Sequence, residues 1–204
     1  MNHDIYNDRR RLPPPADILG HGLRLRPWRT GDEATLVRGQ TDPEFLRWNT
    51  PLVPVTDEAG AAEHIRQRAE GRESGEMAHF CVTDAVDGRI LGHVGLALID
   101  LRMRSARVGY WVLPEARGKG VASRALAVCG RWGFEEVGLH RIDLGHALGH
   151  DASCRIAERC GYPYEGTIRD GMFASGRTDA FQDVHQHARL ATDPDVLLDV
   201  SLGG

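Results

Sequence analysis

Val108-Gly109-Tyr110-Trp111-Val112-Leu113-Pro114-Glu115-Ala116-Arg117-Gly118-Lys119-Gly120-Val121-Ala122 is the stretch on which the reading of the fold turns. Its first half is apolar, β-branched and aromatic up to Pro114, which predicts a strand over Val108–Leu113. Its second half passes two glycines into Val121, Ala125, Val128, Cys129 and Trp132. These fall at i, i+4, i+7, i+8 and i+11, one apolar helical face ending near Gly133. A strand, a glycine turn and a helix in succession put backbone N–H groups at the positive end of a helix dipole, a ready anion site. Gly118 and Gly120 lack Cβ atoms, so a phosphate can come close to the main chain. Arg117 and Lys119, the only lysine in the chain, add charge there. The spacing is neither GxxxxGK[ST] nor GxGxxG, since Ser123 stands where the third glycine would fall. An ordinary strand-to-helix turn would look the same.

Outward from this segment the pattern stays mixed. On the N-terminal side, Leu23 and Leu25 alternate with Arg24 and Arg26, a half-buried strand closed by Pro27. Thr30–Asp32 can cap a helix to about Gln40, and Thr56-Asp57-Glu58 opens another to about Gly71. Between them Phe45, Leu46 and Trp48 form an apolar cluster. Phe80 and Val82 alternate, Asp87-Gly88 signals a hairpin, and Ile90–Ile99 returns as a long strand. On the C-terminal side, Leu139–Ala147 reads as a strand, and Asp151 can cap a helix that stops at Gly161. Tyr162–Phe173 and Arg177–Leu190 are strand candidates joined by a Ser175-Gly176 turn. The expectation is one α/β domain over 21–192, with a polar N-terminal arm at 1–20 and a tail at 193–204.

Composition excludes several classes. The 204 residues carry 25 basic and 29 acidic side chains, a net charge of −4, which argues against a general nucleic-acid binder. No apolar run reaches the ~18–20 residues of a membrane helix, and the polar, Pro-rich start is not expected to carry a secretory signal. A cytoplasmic protein without nucleic-acid or membrane partners is the expectation. Cys81, Cys129, Cys154 and Cys160 form no CxxC pair, which reads as reduced thiols and no metal centre. His185 and His187 share one strand face, yet two histidines without a third ligand make a weak metal site.

Two segments resemble the GNAT superfamily of acyl-CoA-dependent N-acyltransferases, in its RimJ/RimL-like branch. Arg117-Gly118-Lys119-Gly120-Val121-Ala122 matches the family's Gln/Arg-x-x-Gly-x-Gly/Ala loop, and Asp151–Gly166 is similar to its Asn-x-x-Ser and Glu-Gly segment. The resemblance implies a GNAT fold: a mixed, strongly twisted sheet of six to seven strands flanked by helices, with a V-shaped opening between the central strands. It implies acetyl-CoA, or another acyl-CoA, as co-substrate, with a primary amine (a protein N-terminus or a small molecule) as acceptor and no metal. Homodimers are common in this branch. A larger acyl group such as succinyl, or an acyl-CoA-binding sensor with little catalysis, are the alternatives.

Residue by residue, the resemblance assigns the pantetheine arm and thioester carbonyl to the backbone of Trp111, Val112 and Leu113. It assigns the diphosphate to the N–H groups of Gly118, Lys119, Gly120, Val121 and Ala122, with Arg117 nearby. Ser153 would serve the departing thiolate, or else bond to backbone in the first turn of its helix. His150 stands where the family has Asn, so it either contacts the cofactor arm or offers a titratable imidazole, as His146 can. The branch's catalytic Glu position falls near Met172, which cannot titrate, and Asp170 or Glu115 can substitute. Tyr110 is a further hydroxyl, Tyr162 is expected in the core, and Phe45 and Trp48 line either the acceptor pocket or the core.

Overall fold

The computed structural model describes residues 11–195; the remainder of the expected arm and tail, 1–10 and 196–204, lies outside them. In chain order the elements are β1 (Ile18–Gly20), β2 (Leu23–Pro27), α1 (Glu33–Gln40), α2 (Pro43–Trp48), α3 (Glu58–Glu73), β3 (Ala78–Asp84), β4 (Ile90–Asp100), β5 (Ser105–Val112), α4 (Val121–Glu135), β6 (Arg141–Ala147), α5 (Asp151–Arg159), β7 (Tyr164–Phe173) and β8 (Phe181–Leu190). One sheet runs β1-β2-β3-β4-β5-β6-β8-β7. Every neighbouring pair is antiparallel except β5 and β6.

Eight strands replace the six to seven expected, and β1 is drawn from the end of the segment read as an arm. Ile18 pairs with Leu25 across the His21-Gly22 turn. Phe45 to Trp48, read only as an apolar cluster, is the helix α2, with Pro43 at its start and the Asp42 carboxylate accepting from the N–H groups of Glu44 and Phe45. Asp32 does stand before α1, but its carboxylate takes the buried Arg26 guanidinium at 2.6 and 2.9 Å instead of capping. Asp151 is the first residue of α5 rather than its cap; His150 holds the cap position.

Apolar side chains cover both faces of the sheet. The larger cluster packs α4 (Val121, Ala125, Leu126, Cys129, Trp132) on Leu25, Phe80, Val94, Leu96 and Val108. Each fully buried leucine there contributes about 1.5–3 kcal/mol. The smaller cluster holds Trp28, Leu36, Ala61, Trp111 and Leu113 under α1 and α3. Gly39 of α1 makes that packing possible, because a Cβ there would fall 2.2 Å from the Trp111 indole.

The central feature is the parting of β5 and β6. They pair only through Ser105, Ala106 and Arg107 with Arg141, Ile142 and Asp143. Beyond that, β5 continues on β4 to Val112 and β6 continues on β8 to Ala147. This is the V-shaped opening expected.

Candidate active site

The opening exposes main-chain groups of β5. Leu113 N–H donates to the Leu91 carbonyl at 2.9 Å, so along an antiparallel strand Trp111 also faces β4, while Tyr110 and Val112 turn their N–H and C=O toward the gap. Among the described residues the Val112 carbonyl accepts only the Arg117 Nε–H, at 3.2 Å. Of the three backbones assigned from sequence, Trp111 and Leu113 are thus corrected, because both turn their main-chain groups to β4; Val112 alone of the three faces the gap.

The loop beyond Pro114 ends in Gly118 and Gly120, both with positive φ (74° and 67°) and open space where a Cβ would stand. Most side chains would be strained there. The first intrahelical bond of α4 is Arg124 N–H to Gly120 O, so the amides of Val121, Ala122 and Ser123 have no acceptor within the helix. No acidic residue stands in the first turn of α4 to compete for them.

A cavity of about 430 Å³ spreads over these amides, walled by Trp48, Tyr110, Val112, Arg117, Gly120 and Ile156 among others. A second, of about 780 Å³, lies on the other side of Tyr110 and Trp111 between α3 and β7. Phe45, Asn49, Tyr110 and Trp111 line both. The buried Trp111 indole N–H in this shared wall has no partner among the described residues. Unpaired strand and helix amides, a glycine cradle and an orphan N–H together fit a phosphorylated, amide-bearing cofactor arm.

Residues 22–163 match the model of the Acetyltransferase (GNAT) domain. The chain belongs to the GNAT acetyltransferase family. It is 36% identical over 90 residues to Bacillus subtilis YdaF, whose assigned name places it among ribosomal N-acetyltransferases; the match spans 44% of this chain and 49% of that one. It is 32% identical over 122 residues to the Vibrio cholerae spermidine N(1)-acetyltransferase, 60% of this chain and 64% of that one. The chain therefore spans about half to two thirds of the length of these relatives. Its fold superposes on Mycobacterium smegmatis RimJ in complex with CoA-disulfide with a TM-score of 0.80 at 22% identity, covering 89% and 91% of the two chains.

On this GNAT framework the sequence-assigned residues divide. Trp111, Val112, Arg117, Gly118, Gly120, Val121, Ala122 and His150 line the smaller cavity. Lys119 does not: it is exposed and its side chain forms no part of the wall. Arg117 is also tied to Asp42, which joins the glycine loop to α2. Glu115 pairs on the surface with Arg38.

Ser153 is buried rather than cavity-lining, and its Oγ lies 2.7 Å from the Tyr110 hydroxyl. Burial pushes the Tyr110 phenol well above its usual range, so it stays protonated. His150 lies flat on Trp48, ring centroids 4.4 Å apart at 3°. Burial, with His146 nearby, lowers its pKa to about 4, so it is neutral at pH 7. Asp170, at φ 50°, and Met172 line the larger cavity. Tyr162 is fully buried in the core, as expected.

Sequence reasoning missed three arginines and an entire histidine group. Arg155 and Arg159, one turn apart on α5, line the smaller cavity; their i, i+4 spacing was the available signal. His64, Arg68 and His93 line the larger. Arg68 donates to His64 Nε2 at 3.2 Å and meets His79 Nε2 at 2.8 Å, and among the described residues it has no acidic partner. The reading that His185 and His187 lack further ligands is corrected as well, because β6 and α5 bring His146 and Cys154 to them.

Proposed function

We propose that the chain is a cytoplasmic N-acyltransferase that moves an acetyl group from acetyl-CoA to a primary amine by direct attack. The observation that carries this reading is the pair of cavities sharing the wall of β5 at its parting from β6. One has the amides for a diphosphate and the other is open to an acceptor. The amides of Val121, Ala122 and Ser123, with Arg155 and Arg159, would hold the diphosphate, and the Val112 N–H would meet the thioester oxygen as negative charge develops on it. As the acceptor nitrogen bonds to the carbonyl carbon and the carbon–sulfur bond breaks, the Tyr110 hydroxyl, held by Ser153, gives its proton to the departing sulfur. Through solvent, Tyr110 then regains the proton that the acceptor nitrogen sheds as it becomes the amide. Asp170 holds the cationic amine until water removes its proton.

Charge narrows the acceptor. A half-buried guanidinium without a carboxylate, Arg68, stands in the same cavity as Asp170. That pair suits an acceptor bearing both an amine and an acidic group, as in an amino acid, better than a polyamine.

The test is acceptor-dependent release of free thiol from acetyl-CoA across neutral, acidic and polyamine acceptors. Turnover with an acid-bearing amine supports the reading; binding of acetyl-CoA without turnover for any amine marks a sensor and sinks it; faster release from succinyl-CoA reassigns the acyl group. Gly120→Glu should abolish acetyl-CoA binding, and Tyr110→Phe should lower kcat about 100-fold with little change in KM.

A further inference from the structure

His146, Cys154, His185 and His187 come from three elements, β6, α5 and β8, and their ligating atoms all lie within 4.8 Å of one another. The sheet does most of this. His146 stands opposite His185 in the β6–β8 register, and His187 follows two residues on along the same face. Cys154 enters from the first turns of α5.

The hydrogens can be placed without ambiguity on two of the rings. His146 Nδ1 lies 3.0 Å from the Ala147 carbonyl and His187 Nδ1 lies 3.0 Å from the Tyr162 carbonyl. A carbonyl only accepts, so each Nδ1 carries the hydrogen, and in a neutral ring Nε2 is left with a lone pair. Those two lone pairs face each other at 3.3 Å. The Cys154 sulfur is 3.5 Å from the same His187 Nε2. Two acceptors aimed at each other repel unless something positive sits between them. Imidazoles anchored through Nδ1 to backbone carbonyls, with Nε2 turned inward, are the usual arrangement around a bound metal.

The spacing identifies the kind of ion. A tetrahedral centre with metal–nitrogen bonds of about 2.0–2.1 Å and a metal–sulfur bond of about 2.3 Å has nitrogen–nitrogen edges near 3.4 Å and nitrogen–sulfur edges near 3.6 Å. Two of the six ligand–ligand distances, 3.3 and 3.5 Å, match that polyhedron, and all six lie within 4.8 Å, so the remaining ligands have a short way to close onto the ion. Three imidazoles and one thiolate suit zinc or a neighbouring divalent ion rather than calcium or magnesium. His187 and His146 are buried, whereas Cys154 and His185 are only partly covered, which leaves an entry side.

We infer that His146, Cys154, His185 and His187 bind one divalent transition-metal ion, zinc by geometry, as a four-ligand structural clip outside the acyl-transfer chemistry. The histidines bind neutral, and Cys154 releases its thiol proton to solvent as the sulfur–metal bond forms. The clip ties the start of α5, where Ser153 precedes Cys154, to the sheet, and so holds Ser153 against Tyr110.

The experiment uses the whole chain, stripped with a chelator and titrated with Co²⁺ and then Zn²⁺. One equivalent of Co²⁺ should bind and give tetrahedral visible bands with a sulfur-to-cobalt charge-transfer band, and Zn²⁺ should displace it. Cys154→Ser, at a half-exposed position, should keep the fold, lose the charge-transfer band and weaken Co²⁺ binding more than about 100-fold, since losing even a supporting partner costs 10–100-fold. His187→Gln should abolish binding; should it fail to fold, the wild-type and Cys154→Ser titrations decide alone. No stoichiometric Co²⁺ or Zn²⁺ binding by the folded wild-type chain, or binding with Cys154→Ser spectra unchanged, overturns the inference. So does a nitrogen NMR spectrum showing one of the two facing imidazoles protonated in metal-free protein and unaltered by Zn²⁺.

Discussion

In the group of His146, Cys154, His185 and His187, hydrogens point outward to backbone carbonyls and lone pairs converge. In the group of Trp28, His93, His79 and Arg68 the reverse holds. The Trp28 indole N–H can only donate, and it meets His93 Nδ1 at 3.0 Å, so a neutral His93 carries its hydrogen on Nε2. Arg68 can only donate, and it meets His79 Nε2 at 2.8 Å, so a neutral His79 carries its hydrogen on Nδ1. Both hydrogens then face each other across the 3.1 Å between His79 Nδ1 and His93 Nε2. A further proton only adds to the excess, and burial holds both rings neutral, His93 at a pKa of about 3 and His79 far below its ordinary value. One group lacks a positive centre and the other has a surplus of donors. The first wants a cation. The second is relieved when Arg68 turns toward an anion in the larger cavity, because His79 can then carry its hydrogen on Nε2 and accept from His93.

The largest effect that separates the two groups is on thermal stability. A site half-filled well below the working metal concentration, say at one thousandth of it, stabilises the fold by about 4 kcal/mol. For a chain of this size that is about 10 °C in Tm. Chelation should remove that increment and Zn²⁺ should restore it, as scanning calorimetry would show. A Cys154→Ser chain should show no such difference. An Arg68→Gln chain should show it in full, because its group has no use for a cation.

Next in size is the acceptor effect at the donor-rich group. A hydrogen bond to a charged group contributes about 1.5–3 kcal/mol. Arg68→Gln should therefore lower kcat/KM for acid-bearing amines by about 10–100-fold and leave neutral amines within about threefold. Equal losses for both acceptor types would mean that Arg68 only packs α3 and that the cavity has no preference for an anion. The metal-binding spectrum of this variant should be that of wild type.

The fold and the glycine loop were legible in sequence because both rest on local patterns. The alternation around Leu23 and Leu25, the helical stripe from Val121 to Trp132 and the glycines at 118 and 120 each act within a few residues. The opening could be named only through the resemblance, since the parting of β5 from β6 depends on partners 36 residues apart in sequence. The Lys119 side chain lies outside the cavity because a charge beside a glycine cradle need not face it, and alternation along β5 sends the N–H groups of Trp111 and Leu113 to β4. The histidine groups were illegible for a different reason. His146 and His185 are neighbours only once β6 and β8 are in register, and His79 meets His93 only across the β3–β4 hairpin. No periodicity within one segment carries that information.

The smallest effect gives the sharpest contrast, because the same substitution should act with opposite sign in the two groups. Glutamine in place of histidine keeps a polar side chain of similar reach and offers a carbonyl with two lone pairs. At position 79 that carbonyl can accept from both His93 Nε2–H and Arg68, which removes the facing hydrogens. His79→Gln should hold Tm or raise it by about 2–4 °C, the equivalent of about 1 kcal/mol. At position 187 the same change removes a nitrogen from a converging set and leaves His146 Nε2 without the ion that joins them, so Tm should fall toward that of the chelated wild type. Loss of stability at both positions would show that packing alone governs these rings, and that the contrast in their hydrogen placement has no energetic weight.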